Sequence, residues 1–335
     1  MILLDSVYIN NSGGLHLLEF LVKELQLQGV QFKLLADSRC DGFFLNKGDI
    51  EYIDASLYKR GRWYLLNKEV FSCVICFGNI PTPIKLDVPV YTYFHNINLL
   101  TLSETRSFKD KVVSWMKREV FRYLKDNTDF WLVQTTNTAN ELVNHLKEER
   151  EKVKLMPFYE LPDELSALNN QPHGDDYVFI STYVPGKGHE ELLDAWEILH
   201  SKGYDRTLHL TVPLDCHPFL ERIKESQGKG VRVENHGLVP FDKVIDLYGK
   251  SKATVYPSHN ESLGLGIVEA ITAGCDVIGS DLPFLHSICK PSGVFNPYSA
   301  ESIAEAVLAY ESSNAKKSEL TIYNHIDELV KLLTN

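Results

Sequence analysis

The sequence predicts an α/β protein built from two Rossmann-like, doubly wound domains. Three observations carry that expectation. Short apolar runs alternate with stretches of helical period along the chain. A glycine-bearing loop joins the first apolar run to the first helical stretch, as in a strand–helix–strand unit. The alternation restarts after a polar, proline-bearing stretch, and 335 residues suit about two domains. The expected division is a first domain at 1–158, a linker at 159–176, a second domain at 177–312 and a terminal helical segment at 313–335.

The elements follow in order. Ile2 to Ile9 reads as a buried strand and Asn10 to Gly14 as a tight loop. A helix then places Leu15, Leu18, Leu21, Val22 and Leu25 on one face and stops at Gly29. Further strands are read at Val30–Ala36, Ser72–Phe77, Val88–Phe94, Asp129–Val133 and Val153–Met156. A long amphipathic helix is expected from Arg106 to Lys125. Residues 159–176 carry Pro162, Pro172 and Gly174 among acids and asparagines, the composition of a linker. The second half restarts at Tyr177–Ser181, and strands recur at Leu208–Val212 and Val231–Glu234. Helices are read at Phe241–Tyr248 and Glu301–Tyr310. The apolar positions from Lys316 to Leu333 recur at helical spacing.

Composition removes several function classes. A net charge of −11 argues against general nucleic-acid binding. No run of about 18 apolar residues predicts a membrane span, and the opening Met-Ile-Leu-Leu-Asp reads as a strand, not a signal peptide. Cys73 and Cys76 form Cys-x-x-Cys inside an apolar run, where an odd separation puts them on opposite faces of a strand. No second pair has zinc spacing, so buried thiols in a reducing cytoplasm are expected.

The chemistry concentrates in His259-Asn260-Glu261-Ser262-Leu263-Gly264-Leu265-Gly266-Ile267-Val268-Glu269-Ala270. An apolar strand precedes it and a helix through Ile267, Val268, Ile271 and Thr272 follows, ending near Gly274. Glycines at a helix start let backbone N–H groups approach an anion, and the helix dipole favours negative charge there. Two carboxylates flanking such a turn accept hydroxyl hydrogen bonds from a polyol. The implied ligand has phosphate in its middle and polyols on both sides, which describes a nucleotide sugar.

This segment resembles the two-glutamate signature of family 4 of the retaining GT-B glycosyltransferases, the type that builds bacterial surface polysaccharide. The resemblance implies a GT-B fold, two Rossmann-like domains facing a cleft, with the C-terminal helix crossing back onto the first domain. It implies transfer of a sugar from a UDP- or GDP-sugar donor to a glycan or lipid-linked acceptor, in polysaccharide or lipopolysaccharide biosynthesis, with retained configuration. It assigns donor-sugar hydroxyls to Glu261, ribose to Glu269, and backbone amides to Leu263, Gly264 and Leu265. Lys187, in Pro-Gly-Lys-Gly, matches the family lysine on the diphosphate, and His95 the histidine beside the reacting sugar. Gly13 and Gly14 match a Gly-Gly loop bordering the donor phosphates; otherwise they serve only the turn. His236 and Leu238 stand at a strand end where the base is expected. The chain has no Asp-x-Asp, so no metal and no cofactor beyond the nucleotide sugar is expected. One departure stands out: Thr182 occupies the place where the family commonly has an arginine. That raises the alternative of a non-catalytic nucleotide-sugar-binding scaffold subunit. A nucleotide-sugar 2-epimerase is the other alternative, and it needs its own acid and base carboxylates.

At 100° per residue, Lys111, Arg118, Arg122 and Lys125 fall on one stripe of the long helix. Phe108, Val112, Met116, Val120 and Tyr123 form the adjacent apolar arc, with Trp115 at its boundary. One reading is a core-facing helix with a solvated basic face. The other is docking on an anionic membrane surface, where each basic residue contributes about 1 kcal/mol. The second places the protein in the cytoplasm, peripheral at the inner face of the cytoplasmic membrane.

Overall fold

The computed structural model describes residues 1–10, 12–44, 49–67, 70–100, 115, 119–312 and 315–334. The chain forms two compact units, Met1–Glu160 with Tyr323–Asn335, and Leu161–Ile322. Both are doubly wound parallel sheets with helices, the fold class expected.

In the first unit the strands are β1 (Ile2–Asp5), β2 (Phe32–Asp37), β3 (Asp49–Ile53), β4 (Cys73–Cys76), β5 (Val90–Phe94), β6 (Phe130–Val133) and β7 (Val153–Leu155). They pair in the order β3-β2-β1-β4-β5-β6-β7, parallel throughout. Every residue of β1, β4 and β5 is buried. A parallel sheet covered on both faces requires continuous apolar runs, and these are the runs visible in the sequence. Among the described residues, helices α1 (Ser12–Leu27), α2 (Leu57–Asn67) and α3 (Thr136–Leu146) lie between these strands in the chain. Cys73 and Cys76 lie in separate core clusters, one shared with α1 and the other with α2, as alternation along a strand dictates. All six cysteines are free, and five are buried.

The second unit begins earlier than expected. Residues 159–176 are not a bare linker: Asp163–Leu168 is a helix (α4), and Leu165 is fully buried with Leu247 and Ala270. Pro162 supplies the extended residue before the helix. The strands are β8 (Asp176–Phe179), β9 (Leu208–Leu210), β10 (Val233–Asn235), β11 (Ser251–Tyr256) and β12 (Asp276–Ser280), with a short β13 (Cys289–Lys290) and then β14 (Gly293–Phe295). The main sheet runs β10-β9-β8-β11-β12-β14, all parallel. Its helices are α5 (His189–Ser201), α6 (His217–Gly228), α7 (Phe241–Lys250), α8 (Leu265–Ala273), α9 (Pro283–Ile288) and α10 (Ala300–Ser312).

The chain end also differs from the periodicity. Leu320 belongs to a two-residue strand, β15 (Glu319–Leu320), antiparallel to β13. Tyr323 is exposed. The last helix, α11, runs only from Ile326 to Thr334. Asn324 starts it, its Oδ1 accepting from the Ile326 N–H at 3.2 Å. Ile326, Leu329, Val330 and Leu333 then enter the core shared with α1.

In each sheet the strand order reverses at one place, between β1 and β4 and between β8 and β11. Chain leaving the carboxyl ends of neighbouring strands diverges there, which opens a crevice suited to ligands.

Candidate active site

At the second unit's reversal, the loop after β8 carries Lys187 and the loop after β11 carries Glu261. Glycine brings the loops together. Gly188 has φ +72°, and a Cβ there would lie 2.4 Å from the Pro257 carbonyl oxygen. The His259 N–H donates to the Gly186 carbonyl at 2.8 Å. This approach sets Lys187 Nζ 2.5 Å from Glu261 Oε1. The Tyr256 hydroxyl donates to the same oxygen at 3.1 Å. Both members of the pair keep some solvent access, with side chains 24% and 13% exposed. His259 Nε2 is buried without a partner among the described residues. A buried polar atom of this kind is normally satisfied by something, and here it borders the pair's loop.

Gly264 caps α8 with φ +66°, and a Cβ would meet Ile288 Cδ1 at 2.8 Å. The first amides of a helix have no intrahelical acceptor, so they form an anion-seeking end beside the Lys187 loop's partner, Glu261. Leu263 is buried, while Leu265 is exposed. Glu269 lies about one turn inside α8, only 7% exposed, and accepts from the Tyr248 hydroxyl at 3.1 Å. Burial pushes its carboxyl up to about 7, against the smaller opposing effect of that hydrogen bond. Further hydroxyl donors would favour its ionised form.

Thr182 is exposed, its carbonyl accepting from the Ser181 hydroxyl. Leu238 is exposed beyond β10. His236 is half-buried with Nε2 3.0 Å from His209 Nδ1. So the second unit gathers Lys187 and Glu261 into direct contact and sets Gly264, Leu265 and Glu269 on the adjoining helix.

His95, Gly13 and Gly14 belong to the first unit. Gly13 and Gly14 do not form the expected loop: helix α1 already starts at Ser12, so both lie in its first turn. Glycine is less costly there than mid-helix, because first-turn N–H groups have no intrahelical bonds to make. His95 follows β5. Asn79 Oδ1 accepts from its backbone N–H at 2.8 Å and from that of Asn96 at 3.0 Å. His95 Nδ1 is buried without a partner among the described residues, and burial pushes the imidazole down to about 4. The ring is therefore neutral at pH 7.

The backbone just after Asn79 is held by a buried network. Arg60 donates to Asp5 Oδ2 at 2.7 Å and to the carbonyls of Ile80 and Pro81 at 3.1 and 2.8 Å. Tyr64 donates to Asp5 Oδ2 at 2.6 Å. A Cβ on Gly78 would lie 2.1 Å from the Val7 carbonyl oxygen, so that turn admits only glycine.

Of the basic stripe, Lys111 and Arg118 lie outside the described residues. Arg122 pairs with Glu119 at 2.6 Å, and Lys125 begins a short 3-10 turn. Residues 119–124 are helical. Of the expected apolar arc, Phe108, Val112 and Met116 lie outside the described residues, Val120 is half-buried, and Tyr123 is 84% exposed; Phe121 and Leu124 are the buried residues of 119–124. Among the described residues no helix is long and apolar enough to cross a membrane.

Asn79, Tyr248, Tyr256 and Arg60 were missed in the sequence. Tyr256 carried a usable signal, since it ends the strand five residues before Glu261. Gly78-Asn79 after a strand signalled a turn, though not what it caps. Tyr248 and Arg60 arrive from other helices, and local spacing says nothing of them.

Known proteins resemble this chain in part. Residues 163–326 match the family model of glycosyl transferases group 1. The serotype-specific mannosyltransferase WbdA of Escherichia coli is 24% identical over 172 residues, 49% of this chain and 21% of that protein. This chain thus spans about a fifth of that relative's length. Two solved structures share the fold. HepE of Anabaena in complex with UDP superposes with TM-score 0.66 at 15% identity, covering 92% of this chain and 88% of its own. The lipopolysaccharide outer core galactosyltransferase WaaB superposes with TM-score 0.69 at 11% identity, covering 99% and 94%. The family match covers residues 163–326, just under half of the chain, and the solved structures show a shared fold of two parallel-sheet α/β units.

Proposed function

We propose that the protein transfers a sugar from a nucleotide-sugar donor to a glycan or lipid-linked acceptor, in the synthesis of a surface polysaccharide or lipopolysaccharide. The observation that carries this reading is the Lys187–Glu261 pair set beside the N-terminus of α8, with Glu269 one turn further on. WbdA is a mannosyltransferase by name and HepE binds UDP, which supports a nucleotide-linked donor.

In this reading the donor's diphosphate takes the Lys187 ammonium and the first amides of α8. The glycosidic C–O bond to the diphosphate breaks, and positive charge develops at the anomeric carbon while the leaving group gains negative charge. Preorganised cationic and N–H donors stabilise that leaving group most in the transition state. Glu261 turns from Lys187 and Tyr256 toward sugar hydroxyls, and Glu269 accepts the ribose hydroxyls. The acceptor hydroxyl attacks from the leaving group's face, passing its proton to a phosphate oxygen, so configuration is retained. The reaction needs no metal.

The exposed Thr182 favours a second reading, a scaffold that binds the donor without turnover, because no guanidinium stands there. Both readings are tested by assaying nucleoside diphosphate release from UDP- and GDP-sugars in chelator. Release that depends on acceptor supports transfer. A thermal shift with donor but no release supports the scaffold. Activity abolished by chelation and restored by Mg²⁺ or Mn²⁺ contradicts metal independence.

A further inference from the structure

The parallel strands β8, β9 and β10 stack four ionisable side chains on one face of the second sheet. Glu234 on β10 is the register partner of His209 on β9. His236 lies two residues beyond Glu234, hence on the same face. On β8, Asp176 lies two residues before Val178, the register partner of His209. Three donor atoms converge as a result. His209 Nδ1 is 3.0 Å from His236 Nε2 and 3.6 Å from Glu234 Oε2, and His236 Nε2 is 3.9 Å from Glu234 Oε2. These three residues form a group whose ligand atoms all lie within 4.8 Å of one another.

We propose that His209, Glu234 and His236 form a binding site for a divalent transition-metal ion of the zinc class. Zinc bonds of about 2.0–2.2 Å in tetrahedral geometry place ligand atoms roughly 3.3 Å apart, and the three separations bracket that value. Two imidazoles and one carboxylate suit zinc by ligand type.

The surroundings prepare His209 for the role. Its Nε2 lies 3.3 Å from Asp176 Oδ2, and Asp176 Oδ1 accepts from the Thr207 N–H at 3.0 Å. With its Nε2 proton donated to Asp176, His209 presents the Nδ1 lone pair to the other two ligands. A carboxylate behind a histidine is the arrangement that fixes tautomer and ring direction at metal centres. His209 is buried, whereas the Glu234 side chain is 59% exposed and that of His236 26%. The site therefore has a rigid inner ligand and an open outer side, which leaves room for water as a fourth ligand. The ion would tie the edge strand β10 to β9 just before the Gly237–Leu238 turn.

The test is Zn²⁺ titration of the full chain against a chromophoric chelator, with no turnover involved, so its result is independent of the proposed transferase activity. One equivalent should bind, and the thermal midpoint should rise with Zn²⁺. Glu234→Gln and His236→Gln should each weaken binding at least about tenfold, and Asp176→Asn by about 10- to 100-fold through loss of the orienting carboxylate. Glu234 and His236 are on the exposed side, so these variants keep the test valid should His209 variants fail to fold. Absence of stoichiometric binding by the wild type overturns the proposal. So does wild-type affinity in both Glu234→Gln and His236→Gln.

Discussion

The Tyr248 hydroxyl donates to Glu269 Oε2 at 3.1 Å, inside a pocket that leaves Glu269 almost without solvent. Burial raises the Glu269 carboxyl from about 4.5 to about 7 in the folded protein. The folded state thus holds a proton that the unfolded chain releases. The associated stability is fully present below about pH 4.5 and is lost as pH rises through 7. At 1.36 kcal/mol per pKa unit, that is about 3 kcal/mol. Urea unfolding of the free protein across this window should show the decline, and Glu269→Gln should remove that part of it. An unchanged pH slope in Glu269→Gln would show that the carboxyl is not so shifted.

Three glycines near the pair should differ sharply. Gly186 has φ +87° but open space around a Cβ. Gly186→Ala should cost about 1–2 kcal/mol, the conformational term alone. Gly188→Ala adds a backbone clash with Pro257, and Gly264→Ala presses on Ile288. Both should cost more than Gly186→Ala, Gly188→Ala the most, since a carbonyl cannot rotate away as a side chain can. Denaturant midpoints of the three variants check the order.

Arg60 is 1% exposed and Asp5 is fully buried. Arg60→Met leaves the Asp5 carboxylate without its cation and should destabilise the protein by about 3–5 kcal/mol. A loss below about 1 kcal/mol in chemical unfolding would mean that the pair contributes no more than a surface contact.

The fold was legible where one element buries one pattern. Helix α8 and its Gly274 stop follow from apolar spacing and a left-handed cap, with Gly274 at φ +94°. The opposite faces of Cys73 and Cys76 follow from period two. Legibility failed where tertiary contacts override local pattern. Leu165 reads as linker residue but fills a core gap against α7 and α8. Leu320 fits a helical stripe yet pairs as a strand with Cys289. Tyr123 and Phe121 are both aromatic, and only packing against Trp131 decides that Phe121 is the buried one. At the site, Lys187 and Glu261 were visible as motif residues, but their contact depends on two loops 74 residues apart in sequence. Tyr248 was invisible because nothing near it in sequence points to Glu269.

The central claim is that Lys187 stabilises a departing nucleoside diphosphate. The direct measurement is acceptor-dependent diphosphate release by wild type and Lys187→Ala, with circular dichroism confirming that both are folded. Loss of one charged contact to the leaving group should remove about 2–4 kcal/mol of transition-state stabilisation, a 30- to 1000-fold drop in rate. Near-normal turnover in folded Lys187→Ala would contradict the account.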